Sequence, residues 1–335
     1  MDNLTHTLTG VALSKAGLDR FARGTYPTWL LVLGANSPDI DTVLAQSGGR
    51  YLEIHRGLSH SLAFAPVLAA ITMGVVWLAH RRWKKDQPYP WLPSFLLALV
   101  GALSHVWMDF ITPYGTRVLA PFSSARLAWD ICPVLDLWQM MVILMVLILP
   151  WLFRIISEEI GGRRGSFRPA AISVLIFLAA WWGVRATAHA RAVAILDSHI
   201  YRGHDPKRVS AFPNTGNPLL WHGVVDTGET FEELDVNLLE DFDPTRSRSF
   251  YPPEPSPALD AAKNTRTVRA FLDFAVYPWS YVERTETGYQ VVYRDLRYEY
   301  GTMKIRKGAA VRVILDEQFR VLQEEFAFRP SWQIR

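Results

Sequence analysis

Four long apolar segments dominate the first half of the chain. Each approaches the roughly 20 apolar residues that a helix needs to cross the hydrocarbon core of a bilayer. The sequence therefore predicts four full membrane spans, at about residues 62–79, 94–111, 137–155 and 170–188. Two earlier segments, 4–21 and 29–35, are too polar or too short to span alone. We expect them to be short helices packed on the bundle, because imperfect segments at membrane depth must be covered by protein.

The pattern changes after about residue 190. A helical continuation over 190–200 is followed later by a proline-rich stretch, 251–257, which is typical of a loop or linker. Beyond it, β-branched and aromatic residues alternate with polar ones, which predicts an antiparallel meander with strands at 271–277, 289–293, 310–315 and 319–328. The predicted fold is an α-helical integral membrane bundle, residues 1–190, followed by a C-terminal β-rich soluble domain, residues 191–335.

Basic residues orient the predicted bundle. They cluster in two links between spans, which the positive-inside rule places in the cytoplasm. These residues are Arg81, Arg82, Lys84 and Lys85 in the first link, and Arg154, Arg163, Arg164 and Arg168 in the second. Segment 112–136 and the C-terminal domain are then expected outside the cytoplasm. Arg185, Arg191 and Arg202 flank the last exit and oppose this orientation, but long domains translocate largely regardless of charge.

Composition narrows the chemistry. The formal net charge of +3 is too small to argue for a nucleic acid partner. Cys132 is the single cysteine, so the chain can form neither an intrachain disulfide nor a thiolate metal cluster. The first residues, Met1 to His6, contain no basic n-region and no small-residue cleavage site, so we expect no cleavable signal peptide. Any metal must be held by His and carboxylate ligands, which suit zinc, manganese or iron.

His105 and Asp109 are the most informative polar residues, because they lie inside an otherwise apolar predicted span. Their spacing of four places both side chains on one helix face. Ionisable groups within a span are costly and normally mark a functional site that faces the bundle interior. The alternative is a hydrogen-bonded pair that only fixes helix packing.

Each of the other candidate metal ligands gives a weaker signal by itself, but the predicted topology brings them to the same face of the bundle. For Asp39 and Asp41, which follow Pro38, the alternative to a metal site is a solvated loop or a helix N-cap, and His55 and His60 do not share a helix face. The topology drawn from charge and hydropathy nevertheless places all candidates at the outer face of the bundle. They are His6, Asp39, Asp41, His55, His60, His105, Asp109, Asp130 and Asp136. Imidazoles and carboxylates that converge in this way predict a metal site.

The number of candidate ligands exceeds the four of one tetrahedral site, so two or more ions are plausible. Paired ions favour phosphoester chemistry, and a bound metal can supply hydroxide at neutral pH. Asp39 or Asp41 is the candidate general base. Arg56 and Arg117 are candidates for holding a substrate phosphate, with positioning at the lipid headgroups as the alternative.

At these residues the sequence resembles the YdjM type of bacterial inner-membrane metal-dependent hydrolases. The resemblance covers about residues 1–190 and implies a multi-pass protein of the inner membrane. It is carried by Thr5-His6 with Gly10, by Pro38-Asp39-Ile40-Asp41, by His55-Arg56-Gly57-Leu58-Ser59-His60-Ser61, and by His105 to Asp109 followed by Pro113-Tyr114-Gly115. The family usually has Asp-Pro where this chain has Asp136-Leu137.

A more distant pattern is similar to that of the zinc-dependent phospholipases C and single-strand nucleases. Those enzymes order Asp, then His, then a His-x-x-x-Asp pair, and His105 with Asp109 matches that pair. They also have a downstream His-x-x-x-Glu pair, which this sequence lacks. The likeness implies phosphoester hydrolysis, and the membrane setting favours a lipid substrate.

The sequence thus predicts a membrane-bound, metal-dependent hydrolase, with zinc as the expected metal, that cleaves an ester or phosphoester of a phospholipid or related amphiphile at the outer leaflet. One alternative is a metal or ion transporter, since intramembrane His and Asp also line permeation paths. Another is a scaffold whose C-terminal domain binds a partner through aromatic residues such as Trp279, Tyr281 and Trp332.

Overall fold

The computed structural model describes residues 1–22, 26–45, 48–84, 87–159, 166–298 and 308–328. Its contacts divide the chain into two compact units. The first contains Met1–Val43 and Arg56–Ala186, and the second contains Leu44–His55 and Thr187–Arg335. The grouping of Leu44–His55 with the second unit was not predicted from the sequence. The predicted features at Lys85, Arg163, Arg164 and Trp332 lie outside the described residues.

The chain begins with helices and ends with two sheets. The helices are α1 Asn3–Ala16, α2 Pro27–Asn36, α3 Asp41–Leu44, α4 Gly48–Ile54, α5 Ala65–Trp83, α6 Trp91–Phe110, α7 Leu137–Glu159, α8 Arg168–Asp197, α9 Pro257–Lys263 and α10 Arg266–Phe274. Asp2 caps α1 by accepting a hydrogen bond from the Thr5 amide, and Pro27 occupies the first turn of α2, where a missing N–H costs nothing. The two short N-terminal helices predicted from the sequence are therefore present.

Glycines let the helices of the first unit approach closely. A Cβ on Gly34 of α2 would overlap the carbonyl oxygen of Ala98 in α6, and one on Gly101 of α6 would lie 2.6 Å from the carbonyl oxygen of Leu31. Gly10 of α1 is similarly close to α2, at 3.0 Å from Val32 Cα. Small residues of this kind permit the tight backbone contact that drives helix association in membranes. The packing of α2 on α6 positions the polar cluster described below.

The prediction of four full spans is only partly confirmed. By length and composition, α6 and α8 are each able to cross a membrane, and a third span is formed if Gly48–His60 and α5 count as one bent pair. Alone, α5 falls short because His80, Arg81 and Arg82 occupy its last turns. Within the part of α7 that can be assessed, Leu137–Ile148 is a shorter apolar helix. The described residues therefore support two or three spans.

The second unit contains two four-stranded antiparallel sheets, each a simple meander. The first is formed by β1 Arg208–Pro213, β2 Leu220–Asp226, β3 Phe231–Asn237 and β4 Arg248–Phe250, and the second by β5 Pro278–Thr285, β6 Gly288–Asp295, β7 Ala310–Leu315 and β8 Val321–Ala327. Trp221 and Val236 of the first sheet pack against Ala192 and Leu196 at the end of α8. The predicted meander is thus confirmed for β6 to β8.

One predicted strand is wrong, and one sheet was missed. Segment 271–277 lies largely in α10, since Thr265 caps that helix at the Val268 amide, and Val268, Phe271 and Phe274 are buried at helical spacing. The first sheet was not predicted at all, because charged residues such as Glu232 and Glu233 interrupt the apolar pattern of its strands. Both glutamates are nevertheless buried, and Glu232 accepts hydrogen bonds from Thr230, Ser247 and Ser249.

Candidate metal centre

Four side chains from three segments of the first unit converge on one point. Asp39 lies in a 3₁₀ turn, Ser37–Ile40, that continues α2, and His60 ends a second 3₁₀ turn, Leu58–His60. His105 and Asp109 lie one turn apart in the last two turns of α6. One nitrogen or carboxylate oxygen from each of the four residues lies within 4.8 Å of the others, which suits a shared metal ion.

The donor atoms of this cluster point inward. His60 Nε2 lies 3.1 Å from His105 Nε2, 3.2 Å from Asp109 Oδ2 and 3.3 Å from Asp39 Oδ1. His105 Nε2 lies 3.3 Å from Asp109 Oδ2. Both imidazole side chains are fully buried and that of Asp109 is 1% exposed, whereas that of Asp39 is 11% exposed. Asp39 is therefore the member of the cluster closest to solvent.

Each histidine is oriented through its other nitrogen. His105 Nδ1 lies 2.7 Å from the carbonyl oxygen of Ala35, to which it donates. His60 Nδ1 lies 2.9 Å from Ser59 Oγ and 3.2 Å from Asp41 Oδ2, and the Ser59 hydroxyl donates to Asp41 at 2.6 Å. Such partners of a metal-bound histidine fix its tautomer and ring orientation. They leave both Nε2 atoms available for a metal.

His6 adds a further ligand candidate. Its ring is buried and stacks on His105, with the ring centroids 3.8 Å apart, and its Nε2 lies 3.4 Å from Asp109 Oδ1. Neither ring nitrogen of His6 has a hydrogen-bond partner among the described residues. A buried polar atom without a partner is costly, and coordination of an ion would satisfy it. This observation fits a metal at the cluster.

Arg56 holds Asp109 in place. Its guanidinium lies 2.8 Å from Asp109 Oδ1 and donates at 2.8 Å to Thr112 Oγ1, and it stacks 4.6 Å from the ring centre of Tyr114. The α-amino group of Met1 also contacts Asp109. Arg56 itself adopts a φ of +55°, an uncommon conformation for a residue other than glycine, and such strain often occurs at functional sites.

The sequence model of the YdjM inner membrane protein family matches residues 1–192, which include the whole cluster. The chain belongs to the YdjM inner membrane protein family. A second match, to the YfhP C-terminal alpha/beta plait domain, covers residues 257–329. The uncharacterised protein YfhP of Bacillus subtilis (strain 168) is 27% identical over 314 residues, covering 89% of this chain and 87% of YfhP. No solved structure matches the chain significantly.

Within this YdjM-family chain, the other predicted site residues take different places. Asp41 supports His60 and also accepts from the backbone N–H of Arg56 at 3.1 Å. His55 belongs to the second unit, where it is buried and stacks on Tyr51 with ring centroids 4.6 Å apart, and its role as a ligand stays a prediction. Arg117 donates its backbone N–H to the Arg56 carbonyl at 3.0 Å, and its substrate role likewise stays a prediction.

Asp136 is not brought into the cluster. Its carboxylate accepts from the backbone N–H of Gln139 at 2.9 Å and from the indole N–H of Trp181 at 2.9 Å, so it caps the start of α7. Asp130 is likewise outside the cluster, and it has a φ of +57° in the loop before α7. We therefore do not include either residue in the metal centre.

Sequence reasoning missed the residues that orient the ligands. Ser59 and Thr112 lie within or beside the motif segments, but hydroxyl residues are too common to signal a role by themselves. The carbonyl of Ala35 carries no side-chain signal at all. Only the packing of α2 on α6 brings it to His105.

Proposed function

We propose that the protein is a metal-dependent hydrolase whose Asp39, His60, His105 and Asp109 hold a divalent ion, with zinc as the expected metal. The convergence of these four side chains carries the proposal, because their donor atoms share one point and both imidazoles are oriented from behind. Nitrogen and carboxylate donors of this kind suit zinc, and also manganese or iron. A bound ion of this class acts as a Lewis acid and lowers the pKa of water toward about 7.

The residues of the cluster then divide the work. Asp39 Oδ1 lies 3.3 Å from His60 Nε2 and 3.6 Å from His105 Nε2, so one carboxylate oxygen faces the proposed ion. As the most exposed member of the cluster, Asp39 is also the best placed to accept a proton from a reacting water, through the carboxylate oxygen that does not bind the ion. Asp41, which already accepts two hydrogen bonds, orients His60.

Arg56 acts in this proposal as a positioning residue. Its guanidinium is nearly fully buried and is engaged by Asp109 and Thr112, so it stabilises the ligand carboxylate against desolvation. For Arg117 we propose contact with a substrate phosphate, whereas the same contact by Arg56 stays a prediction from the sequence.

The proposed substrate is an ester or phosphoester of a membrane lipid. Support comes from the location of His105 and Asp109 near one end of α6, which is long and apolar enough to span a membrane. A site at the end of a span lies where lipid headgroups lie. We place this end at the outer face of the inner membrane, in line with the basic residues at the opposite end of the helices.

Metal content tests the site directly. The full chain is purified in a neutral detergent, loaded with zinc, desalted and analysed by inductively coupled plasma mass spectrometry. We expect about one equivalent or more per chain, and a loss of at least tenfold in His105→Asn with Asp109→Asn, which remove the imidazole and the carboxylate charge. His204→Asn, an exposed histidine of the second unit, is the matched control. Equal zinc in the double variant and the wild type refutes the site.

Activity is tested on the same preparations. Mixed micelles of phosphatidylglycerol or phosphatidylcholine are incubated with the zinc-loaded protein, and released phosphate, phosphoalcohol and fatty acid are quantified separately. We expect phosphoester cleavage that disappears in Asp39→Asn, whereas Asp205→Asn, an exposed carboxylate elsewhere, keeps it. Release of fatty acid alone would show that the enzyme cleaves an acyl ester and not a phosphoester. If protein fully loaded with zinc releases none of these products, a lipid is not the substrate.

Metal transport is the alternative that burial of the cluster supports, because ionisable groups within spans also line ion paths. Transporter sites usually lie near the middle of the bilayer, whereas His105 and Asp109 are near the end of α6. Zinc uptake into proteoliposomes, abolished by the same double variant, would favour transport over hydrolysis.

A further inference from the structure

The end of the helices opposite to the metal centre carries a separate groove. Ser14 near the end of α1 lies 2.7 Å from Thr28 at the start of α2, whereas Thr7 bonds Asn36 at the other end of α2. The groove has a volume of about 370 Å³ and lies between the start of α2 and the second half of α5. Its walls are almost wholly apolar, and they include Tyr26, Trp29, Leu33, Val75, Ala79 and Trp83.

The walls of the groove are exposed in a way that soluble proteins avoid. Trp29 is 59% exposed, Trp83 is 69% exposed and Val75 is 54% exposed. Both tryptophans lie near helix ends, where the ring of tryptophan prefers the boundary between hydrocarbon and headgroups. Apolar side chains on a membrane-spanning bundle face acyl chains, so an aliphatic tail fits this groove.

Cations lie at the end of α5, next to the groove residues Ala79 and Trp83 along the chain. Lys84 Nζ lies 4.8 Å from the ring centre of Tyr26, and the Arg81 guanidinium lies 5.6 Å from that of Trp77. Arg82 is exposed beside them in the last turn of α5. Asp19, in the turn after α1, is an acidic residue described at this end. The positive end of the bundle is thus the complement of an anionic headgroup.

We propose that this groove binds one anionic phospholipid, with an acyl chain along α2 and α5 and the phosphate beside Arg82 and Lys84. Basic pockets between membrane helices on the cytoplasmic side recognise anionic headgroups, and the leaflet there carries anionic lipids. The groove has no residue in common with the metal centre, so the bound lipid is a structural or regulatory ligand and not the substrate at the metal.

Lipid binding is measured by native mass spectrometry of the full chain released from a neutral detergent, with EDTA present to stop hydrolysis. Dioleoylphosphatidylglycerol and dioleoylphosphatidylcholine are titrated separately. We expect one tightly bound phosphatidylglycerol per chain and weaker phosphatidylcholine binding. Removal of two cations in Arg82→Gln with Lys84→Gln should weaken phosphatidylglycerol binding about 25-fold, at roughly fivefold for each.

Groove and control variants separate the contributions. Ala79→Trp fills the groove and should abolish the binding of either lipid there. Met145→Trp, on the apolar face of α7, should have no effect. Arg246→Gln, an exposed cation of the second unit, controls for charge. His60→Ala should leave lipid binding unchanged, so a failure of the proposed metal centre does not affect this result.

Four outcomes overturn the proposal. Equal affinity for phosphatidylglycerol and phosphatidylcholine would show that the anionic headgroup is not recognised. Unchanged lipid binding in Ala79→Trp would show that the lipid does not occupy the groove. Equally tight binding of water-soluble glycerophosphoglycerol reduces the site to a phosphate site without a tail. A wild-type dimer that Ala79→Trp dissociates, measured by light scattering, assigns the groove to a second copy of the chain.

Discussion

At the scale of single residues, the second nitrogen of each histidine decides what the first can do. Nδ1 of His105 bonds a backbone carbonyl, and Nδ1 of His60 lies beside Ser59 and Asp41. An imidazole held in this way offers Nε2 as a lone-pair donor. The partners behind the ligands should therefore matter nearly as much as the ligands themselves.

Asp41→Asn tests that reasoning. Loss of the carboxylate behind His60 weakens the orientation and basicity of the imidazole, so we expect zinc affinity to fall about 10- to 100-fold while the number of ions bound at saturation stays the same. Competition with a chelating dye measures the affinity. Asp205→Asn is the control. An affinity equal to that of the wild type would show that Asp41 does not support the centre.

A second residue-scale prediction concerns His222, which is buried in β2. Burial lowers the pKa of His222, but the carboxylates of Asp235 and Glu233, each 3.7 Å from a ring nitrogen, outweigh it, so its pKa is raised in the folded protein. A raised pKa contributes stability that is complete below about 6.5 and is lost as pH rises through the folded-state pKa. His222 also lies 2.9 Å from the carbonyl oxygen of Leu296.

We therefore expect the protection of β2 amides against hydrogen exchange, corrected for the intrinsic rate, to fall as pH rises above 6.5. His222→Gln should flatten this dependence, and His204→Gln should preserve it. Burial also raises the pKa of Glu233, which adds a loss of stability of the same sign beginning at lower pH. Protection that rises with pH in the wild type contradicts the assignment.

At the scale of elements, the contact between α2 and α6 connects membrane packing to the metal centre. Gly34 lies against the carbonyl of Ala98, and the next residue, Ala35, supplies the carbonyl that orients His105. Any side chain at position 34 must push the helices apart and move that carbonyl.

Gly34→Ala should therefore lower the free energy of unfolding by about 1–3 kcal/mol and weaken zinc binding together. The matched control is Gly74→Ala in α5, where an added Cβ meets no atom within 4 Å. That change should be neutral or stabilising by about 0.5–1 kcal/mol, since alanine is the better helix former. Thermal unfolding in detergent and zinc titration provide the two measurements. A Gly34→Ala variant that is as stable as the wild type and still binds zinc would show that the close contact between α2 and α6 does not position the site.

The elements also show what the sequence can reveal. The four apolar runs, the two short helices before them and strands β6 to β8 follow directly from hydrophobic periodicity. The first sheet was not predicted, because it buries glutamates whose hydrogen-bond partners are distant in sequence. Part of α10 was predicted as a strand, because the segment is short. Within the site, His105 and Asp109 were visible as polar residues in an apolar helix. Asp39 and His60 were reached only through topology, and the carbonyl of Ala35 has no sequence signal.

At the scale of the whole molecule, the number of spans decides which side of the membrane each part occupies. Within the described parts of the chain, the long helices between loop 112–136 and the proline-rich loop 251–256 are α7 and α8. If both helices span, the two loops lie on the same side. If α7 does not span, as its shorter apolar stretch allows, they lie on opposite sides.

Single cysteines distinguish these arrangements. Burial raises the pKa of the Cys132 thiol to about 12, so the native chain should not react with a membrane-impermeant maleimide and serves as the control. We expect exposed Ser124→Cys and Glu254→Cys both to react in intact spheroplasts, and Gln87→Cys to react only after permeabilisation. Reaction of Ser124→Cys without Glu254→Cys would place the C-terminal domain in the cytoplasm and leave α7 outside the set of full spans. Reaction of Gln87→Cys alone would reverse the bundle and bring the metal centre to the inner leaflet.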